Sequence, residues 1–191
     1  MIESSKMTAE GMEAMPKLIV FTDIGDTVID EGTEIRAEPG GTVLRADCIP
    51  GAKETMLELY ERGYTLVMVA DGLVKSFENT LSQNGLNHIF RARAVSEEVG
   101  VCKPDPRMFK AAFDRAGLCE ADRSRVVMVG NHIVKDVGGA NRFGIRSVHL
   151  HWSPRHPNEP SCPEEIPDYV IHTPAELLPL VERLNAELEN A

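Results

Sequence analysis

Three polar stretches stand directly after apolar runs in this 191-residue chain: Asp23-Ile-Gly-Asp26-Thr27, Ala70-Asp71-Gly72 and Gly130-Asn131-His132-Ile-Val-Lys-Asp136. A fourth, Val101-Cys-Lys103-Pro104-Asp105-Pro106, lies between the second and the third. A carboxylate at a strand end, a lysine and a second carboxylate are the parts that phosphoryl transfer to an aspartate needs. One carboxylate attacks phosphorus, a divalent cation held by both neutralises the phosphate oxygens, and the lysine adds positive charge.

The elements that must position these groups are legible. Lys17-Leu-Ile-Val-Phe-Thr22, Thr65-Leu-Val-Met-Val-Ala70 and Arg125-Val-Val-Met-Val129 read as strands buried on both faces. Arg93-Ala-Val-Ser96 is a weaker strand, and Arg146–Leu150 and Tyr169–Ile171 are two more. Helices are expected from Ala52 to the stop at Gly63, from Leu73 to Asn84, and from Ile133 to Phe143. Another follows the Asp105-Pro106 start, with Met108, Phe109, Ala112, Phe113 and Ala116 as its apolar stripe. Thr173-Pro-Ala-Glu176 is a capping box for the last helix, which Pro179 should kink or delay. Strands alternating with helices predict an α/β fold: a doubly wound, mostly parallel sheet whose ligands bind outside the carboxyl ends of the strands.

Thr33-Glu-Ile-Arg-Ala37 and Thr42-Val-Leu-Arg-Ala46 flank Glu38-Pro-Gly-Gly, the pattern of a hairpin. It is expected to form a small flap over about 33–47. Residues 1–16 read as a flexible leader, 17–191 as a single domain, and 151–167, with five prolines, as a mobile loop.

With these motifs in this order, the chain resembles the haloacid dehalogenase-like hydrolase superfamily, mostly Mg²⁺-dependent phosphatases, from about Lys17 to Ile171. FTDIGDTVID is similar to the family's first motif and makes Asp23 the nucleophile. GVCKPDPRMF corresponds to the lysine motif, with Lys103, and VMVGNHIVKDVGGANRFGIRSV to the acidic last motif, with Asn131 and Asp136. The resemblance implies a metal site for Mg²⁺ from the Asp23 carboxylate, the Gly25 carbonyl and Asp136, with Asn131 as a supplementary ligand. Lys103 and the backbone near Asp71 and Gly72 are then expected to hold the phosphate.

Three positions depart from that pattern. The family's general acid/base stands two residues after the nucleophile, where this chain has Gly25. Asp26, one place later, is expected either to replace it or to cap the next turn. A Ser or Thr that binds the phosphoryl group in the second motif is Ala70 here, and the first acid of the last motif is Asn131. His132 is a substrate-contact candidate, Asp71 a turn or cap residue, and Gly138-Gly139 is expected to permit close packing against the Asp23 loop. The gaps of 47 residues from Asp23 to Ala70 and 33 from Ala70 to Lys103 leave no room for a large cap domain. An uncapped site suits a large phosphorylated substrate or one covered by a partner subunit, with a homo-oligomer left open.

Composition removes other classes. A net charge of −10 without a Lys/Arg cluster argues against nucleic acid and anionic membranes as partners. The longest apolar run, Leu66 to Ala70, is far too short to span a bilayer, and the N-terminus has no secretory pattern, so a cytoplasmic protein is expected. Cys48, Cys102, Cys119 and Cys162 lie 54, 17 and 43 residues apart, which suits free thiols better than a zinc or redox site. Cys102 is expected to serve packing. His149, His151, His156 and Cys162 match no zinc spacing. Two alternatives to a phosphatase stay open: a catalytically degenerate binding or regulatory protein, and a metal-independent dehalogenase.

Overall fold

Successive residues at the start of the sheet belong to opposite cores. Leu18 and Val20 enter one buried apolar cluster, Ile19 and Phe21 the other. This is the two-sided burial that a central parallel strand requires. The computed structural model describes residues 17–190, so the expected leader over 1–16 lies outside the described residues.

Strand β1 (Ile19–Thr22) is followed by a hairpin of β2 (Ile35–Arg36) and β3 (Val43–Arg45). Then come α1 (Ala52–Glu61), β4 (Thr65–Ala70), α2 (Val74–Gln83), β5 (Phe90–Val95), α3 (Ser96–Val99) and α4 (Pro106–Ala116). The chain continues through β6 (Val126–Gly130), α5 (Gly138–Phe143), β7 (Arg146–Leu150), β8 (Tyr169–Ile171) and α6 (Leu177–Glu189). Six strands form one sheet in the order β5-β4-β1-β6-β7-β8, every pair parallel. Residues of α1, α2 and α6 pack in the first cluster, those of α4 and α5 in the second, so helices cover both faces as expected.

Register brings the polar stretches together. Thr22 lies opposite both Met68 of β4 and Val129 of β6. The next residues along these three strands therefore emerge at one edge of the sheet, and the Asp23 N–H still donates to Val129 O at 3.0 Å.

Several boundaries differ from the expectation for local reasons. β5 starts at Phe90 rather than Arg93. It is an edge strand with Arg91 exposed and Arg93 half-buried, which weakens its apolar signature. The expected helix from Ile133 opens with a π-helical turn, Ile133–Val137, before α5 begins. Gly139 does not pack against the Asp23 loop. A Cβ there would fall 2.7 Å from the Phe109 ring and 3.3 Å from Pro104 Cα, so this glycine lets α5 close onto α4 and the Lys103 loop. The α-helical start is delayed beyond the Thr173 capping box, as expected, to Leu177, two residues before Pro179. Pro179 occupies the first turn of α6, where proline is tolerated, and the 3-10 turn over Pro174–Glu176 precedes it.

The flap hairpin forms as expected, pairing Ile35 with Arg45 and Arg36 with Val43. It is tied to α2 and its C-cap by side chains. Val43 N donates to Ser76 Oγ at 2.9 Å, Asn79 Nδ2 to Val43 O at 2.9 Å, and Asn84 Nδ2 to Ala46 O at 2.9 Å. Among the described residues no helix is long and apolar enough to cross a membrane.

Candidate active site

Lys103 is 3% exposed, and its ammonium is shared between two carboxylates. Nζ lies 2.7 Å from Asp23 Oδ1 and 2.6 Å from Asp136 Oδ1. Asp23 directly follows β1, Lys103 lies in the loop before α4, and Asp136 sits in the π-helical turn after β6. Each is held by backbone or by a neighbouring side chain. Lys103 N donates to Asp71 Oδ1 at 2.9 Å, and His132 N to Asp136 Oδ2 at 2.9 Å. Gly130 makes the room: a Cβ on it would overlap the Asp136 carboxyl group.

Burial dominates the electrostatics. It pushes the Asp23 carboxyl up to about 6, against the pull of Lys103. For Lys103 burial disfavours the charge, yet the Asp136 and Asp23 carboxylates outweigh it and raise the pKa above the usual lysine range. The ammonium stays charged, and the two carboxylates can approach each other only because it lies between them.

The remaining expected residues divide. Asp71 points its carboxylate at two lysines, with Lys135 Nζ 3.0 Å from Oδ2 as well as the Lys103 amide on Oδ1. It positions cations rather than capping a helix. Gly72 lines the cavity, but its N–H donates to Ser96 Oγ at 2.9 Å, so that amide is not free for a phosphate oxygen. Asn131 is buried at the rim, its carbonyl accepts from His149 Nε2 at 3.1 Å, and its side-chain Nδ2 has no partner among the described residues. Gly25 lines the cavity beside Asp23.

Asp26 is turned away. It is 0% exposed and does not line the cavity. Its carboxylate accepts from Arg155 Nη1 at 2.6 Å, Ser153 Oγ at 2.8 Å and Glu31 N at 3.1 Å. The expected replacement of the missing acid by Asp26 is corrected on this geometry: the side chain locks a loop. Its φ of +47° is the left-handed conformation that Asp tolerates better than most residues. The proline-rich segment is correspondingly anchored at Ser153 and Arg155, and its His156 ring lies 4.6 Å from that of His132. Burial holds His132 down to about 4, with His156 and nearby lysines adding to the effect. Cys102 is exposed rather than packed, and the four cysteines are free.

Sequence reasoning missed Lys135, His156 and Glu31, which line the same cavity of about 390 Å³. Lys135 was legible as a lysine one residue before Asp136; Glu31 and His156 reach the cavity only through the fold. Glu31 is an exposed residue, but desolvation of its carboxyl group raises it to about 7, with Asp26, Glu34 and Asp23 adding to the rise. Asp26, Glu31 and His156 bring ligand atoms within 4.8 Å of one another, but the Arg155 guanidinium already neutralises Asp26 there. The flap walls one side through Glu34, Arg36 and Val43, so the strand ends are less open than the absence of a large cap implies.

A family model described as haloacid dehalogenase-like hydrolase matches residues 41–150. A Methanopyrus kandleri protein named glyceraldehyde 3-phosphate phosphatase is 37% identical over 136 residues, 71% of this chain and 57% of that one. A Thermus thermophilus phosphoserine phosphatase is 35% identical over 119 residues, 62% of this chain and 45% of that one. The chain thus spans about half the length of the curated relatives it matches. Among solved structures, the HAD-hydrolase YfnB from Bacillus subtilis superposes with a TM-score of 0.61 at 25% identity, covering 71% of this chain and 56% of that one. A HAD phosphatase from Thermococcus onnurineus reaches 0.68 at 19% identity, covering 86% and 97%, which is a likeness of fold.

Proposed function

Because the chain belongs to the haloacid dehalogenase-like hydrolase family, we propose that it hydrolyses phosphate monoesters through an aspartyl phosphate formed on Asp23. The observation that carries this reading is the single ammonium of Lys103 between the Asp23 and Asp136 carboxylates at the carboxyl edge of the sheet. Asp23 Oδ attacks phosphorus. Lys103 holds Asp23 in place and adds positive charge beside the phosphoryl oxygens. Asp71 fixes Lys103 through its backbone and Lys135 through its ammonium. The unpartnered Asn131 Nδ2 is a donor suited to a phosphate oxygen.

The donor set fits Mg²⁺: two carboxylates, a backbone carbonyl and a side-chain amide oxygen, without sulfur. Asp23, Asp136 and the Gly25 carbonyl would hold the ion, with Asn131 beside them, and it would supply positive charge against the phosphate oxygens. The cavity suits a small phosphorylated metabolite, the kind of compound named for the Methanopyrus and Thermus relatives. That reading replaces the large substrate inferred from the absence of a cap.

The test is hydrolysis of p-nitrophenyl phosphate with Mg²⁺, with EDTA, and by Asp23→Asn. Activity that needs both Mg²⁺ and Asp23 is expected. Gly25 in place of the second acid favours a dehalogenase as the second reading. Chloride release from a 2-haloacid, insensitive to EDTA, would select it.

A further inference from the structure

Position 25 has no side chain, yet the space beside it is filled. A Cβ on Gly25 would fall 3.0 Å from the carboxyl carbon of Glu31, with Oε1 closer still. The Glu31 carboxyl group therefore occupies the volume into which a side chain at position 25 would project. Both residues line the cavity together with Asp23, Lys103 and Asp136.

The turn that carries Glu31 fixes its backbone beside Gly25. Glu31 opens a 3-10 turn over Glu31–Thr33, which Asp30 caps by accepting from Gly32 N at 2.8 Å. Glu31 N donates to Asp26 Oδ1, and that carboxylate is fixed in turn by Arg155 and Ser153. Asp26 thus uses its own carboxylate to place Glu31. Among the described residues, the Glu31 carboxyl group has no hydrogen-bond donor or ion-pair partner, unlike Asp23, Asp26, Asp71 and Asp136. It belongs to a residue that lines the cavity with Asp23, and it is committed to nothing else.

We propose that Glu31 is the proton-transfer residue of this site, delivering through space the carboxyl group that the sequence lacks at position 25. The proposal rests on the phosphatase reading above. As Asp23 Oδ bonds to phosphorus, the bond to the leaving oxygen breaks and its electron pair stays on that oxygen. The Glu31 carboxyl gives its proton to the same oxygen, and the alcohol departs. The Glu31 carboxylate then takes a proton from water as the water oxygen attacks phosphorus. The bond to Asp23 breaks, releasing inorganic phosphate and the free Asp23 carboxylate.

The experiment compares kcat/KM on an alkyl ester, glycerol phosphate, with that on p-nitrophenyl phosphate, whose leaving group departs as a stable anion. The proteins are wild type, Glu31→Ala, Glu31→Gln and the swap Gly25→Asp/Glu31→Ala, each with folding checked by thermal melting. Loss of the acid should cost the alkyl ester about 10²–10⁴-fold and the aryl ester at least tenfold less. The swap should recover alkyl activity, because removing the Glu31 side chain vacates the space that a carboxyl group at position 25 needs. Glu31→Gln keeps the shape and so reports the lost proton even if the alanine variant folds poorly. Equal losses on both esters, or full alkyl activity in Glu31→Gln, would overturn the proposal and leave the phosphatase reading standing. Wild type inactive on both esters with Mg²⁺, and no different from Asp23→Asn, would overturn both.

Discussion

Asp26 and Arg155 are 129 residues apart along the chain and 2.6 Å apart in the fold. The pair fastens the start of the proline-rich segment to the loop that carries Asp23. Asp26 is fully buried and Arg155 partly exposed, so the arginine satisfies a charge that could not otherwise remain inside.

Arg155→Met should therefore destabilise the protein by on the order of 2 kcal/mol at neutral pH, because it strands the Asp26 carboxylate with neutral donors only. Urea unfolding of Arg155→Met, Asp26→Asn and the double variant reads the coupling. The double variant should be less damaged than the sum of the singles. Strict additivity would mean that the two charges do not stabilise each other.

Lys103→Met should cost stability as well as activity. Its buried ammonium is shared by two carboxylates, and its removal leaves them facing each other, a loss of about 3–5 kcal/mol. Lys103→Met/Asp136→Asn should recover much of that stability and none of the activity. A melting temperature for Lys103→Met equal to wild type in metal-free buffer would contradict the geometry.

Gly130→Ala should disable the site with little change in its composition. The new methyl group would take the place of the Asp136 carboxyl group, which must then leave Lys103 and the His132 amide. The expected cost is about 1–3 kcal/mol in stability, accompanied by weakened Mg²⁺ binding in a calorimetric titration. Unchanged titration curves would show that Asp136 is free to move without consequence.

The thiols should differ in reactivity. Burial pushes Cys48 up to about 11, whereas Cys102 and Cys119 are exposed. Only the thiolate alkylates readily, so at pH 8 iodoacetamide should label Cys102 and Cys119 well before Cys48. Labelling of Cys48 should keep accelerating as pH rises toward 11. Mass spectrometry of timed samples measures the order, and early labelling of Cys48 would count against its burial.

Much of this architecture could be read in advance because it is written locally. β1, β4 and β6 are continuous apolar runs since both of their faces are covered, and the polar residue that ends each run is the one the sheet delivers to the site. Asp23, Asp71 and Asn131 follow β1, β4 and β6 directly, whereas Lys103 is legible from the Lys-Pro-Asp-Pro stretch before α4 and Asp136 from the polar stretch that continues beyond Asn131. Asp26 misled because its type and position fit a displaced acid, while the Arg155 that claims it is remote in sequence and set among prolines. Gly72 misled because a free amide cannot be told from one that donates to Ser96. Glu31 carries no motif at all; its relation to Gly25 exists only after a 3-10 turn has brought the chain back. β5 was shortened because an edge strand dilutes its apolar residues with arginine.

The hairpin beside the site is stitched to the helix behind it through both backbone groups of Val43 and through Ala46 O. These bonds fasten the β3 side of this roof to α2 and its C-cap. Arg36 and Val43 line the cavity from that roof, so enlarging or trimming either side chain should change which molecules fit beside Asp23.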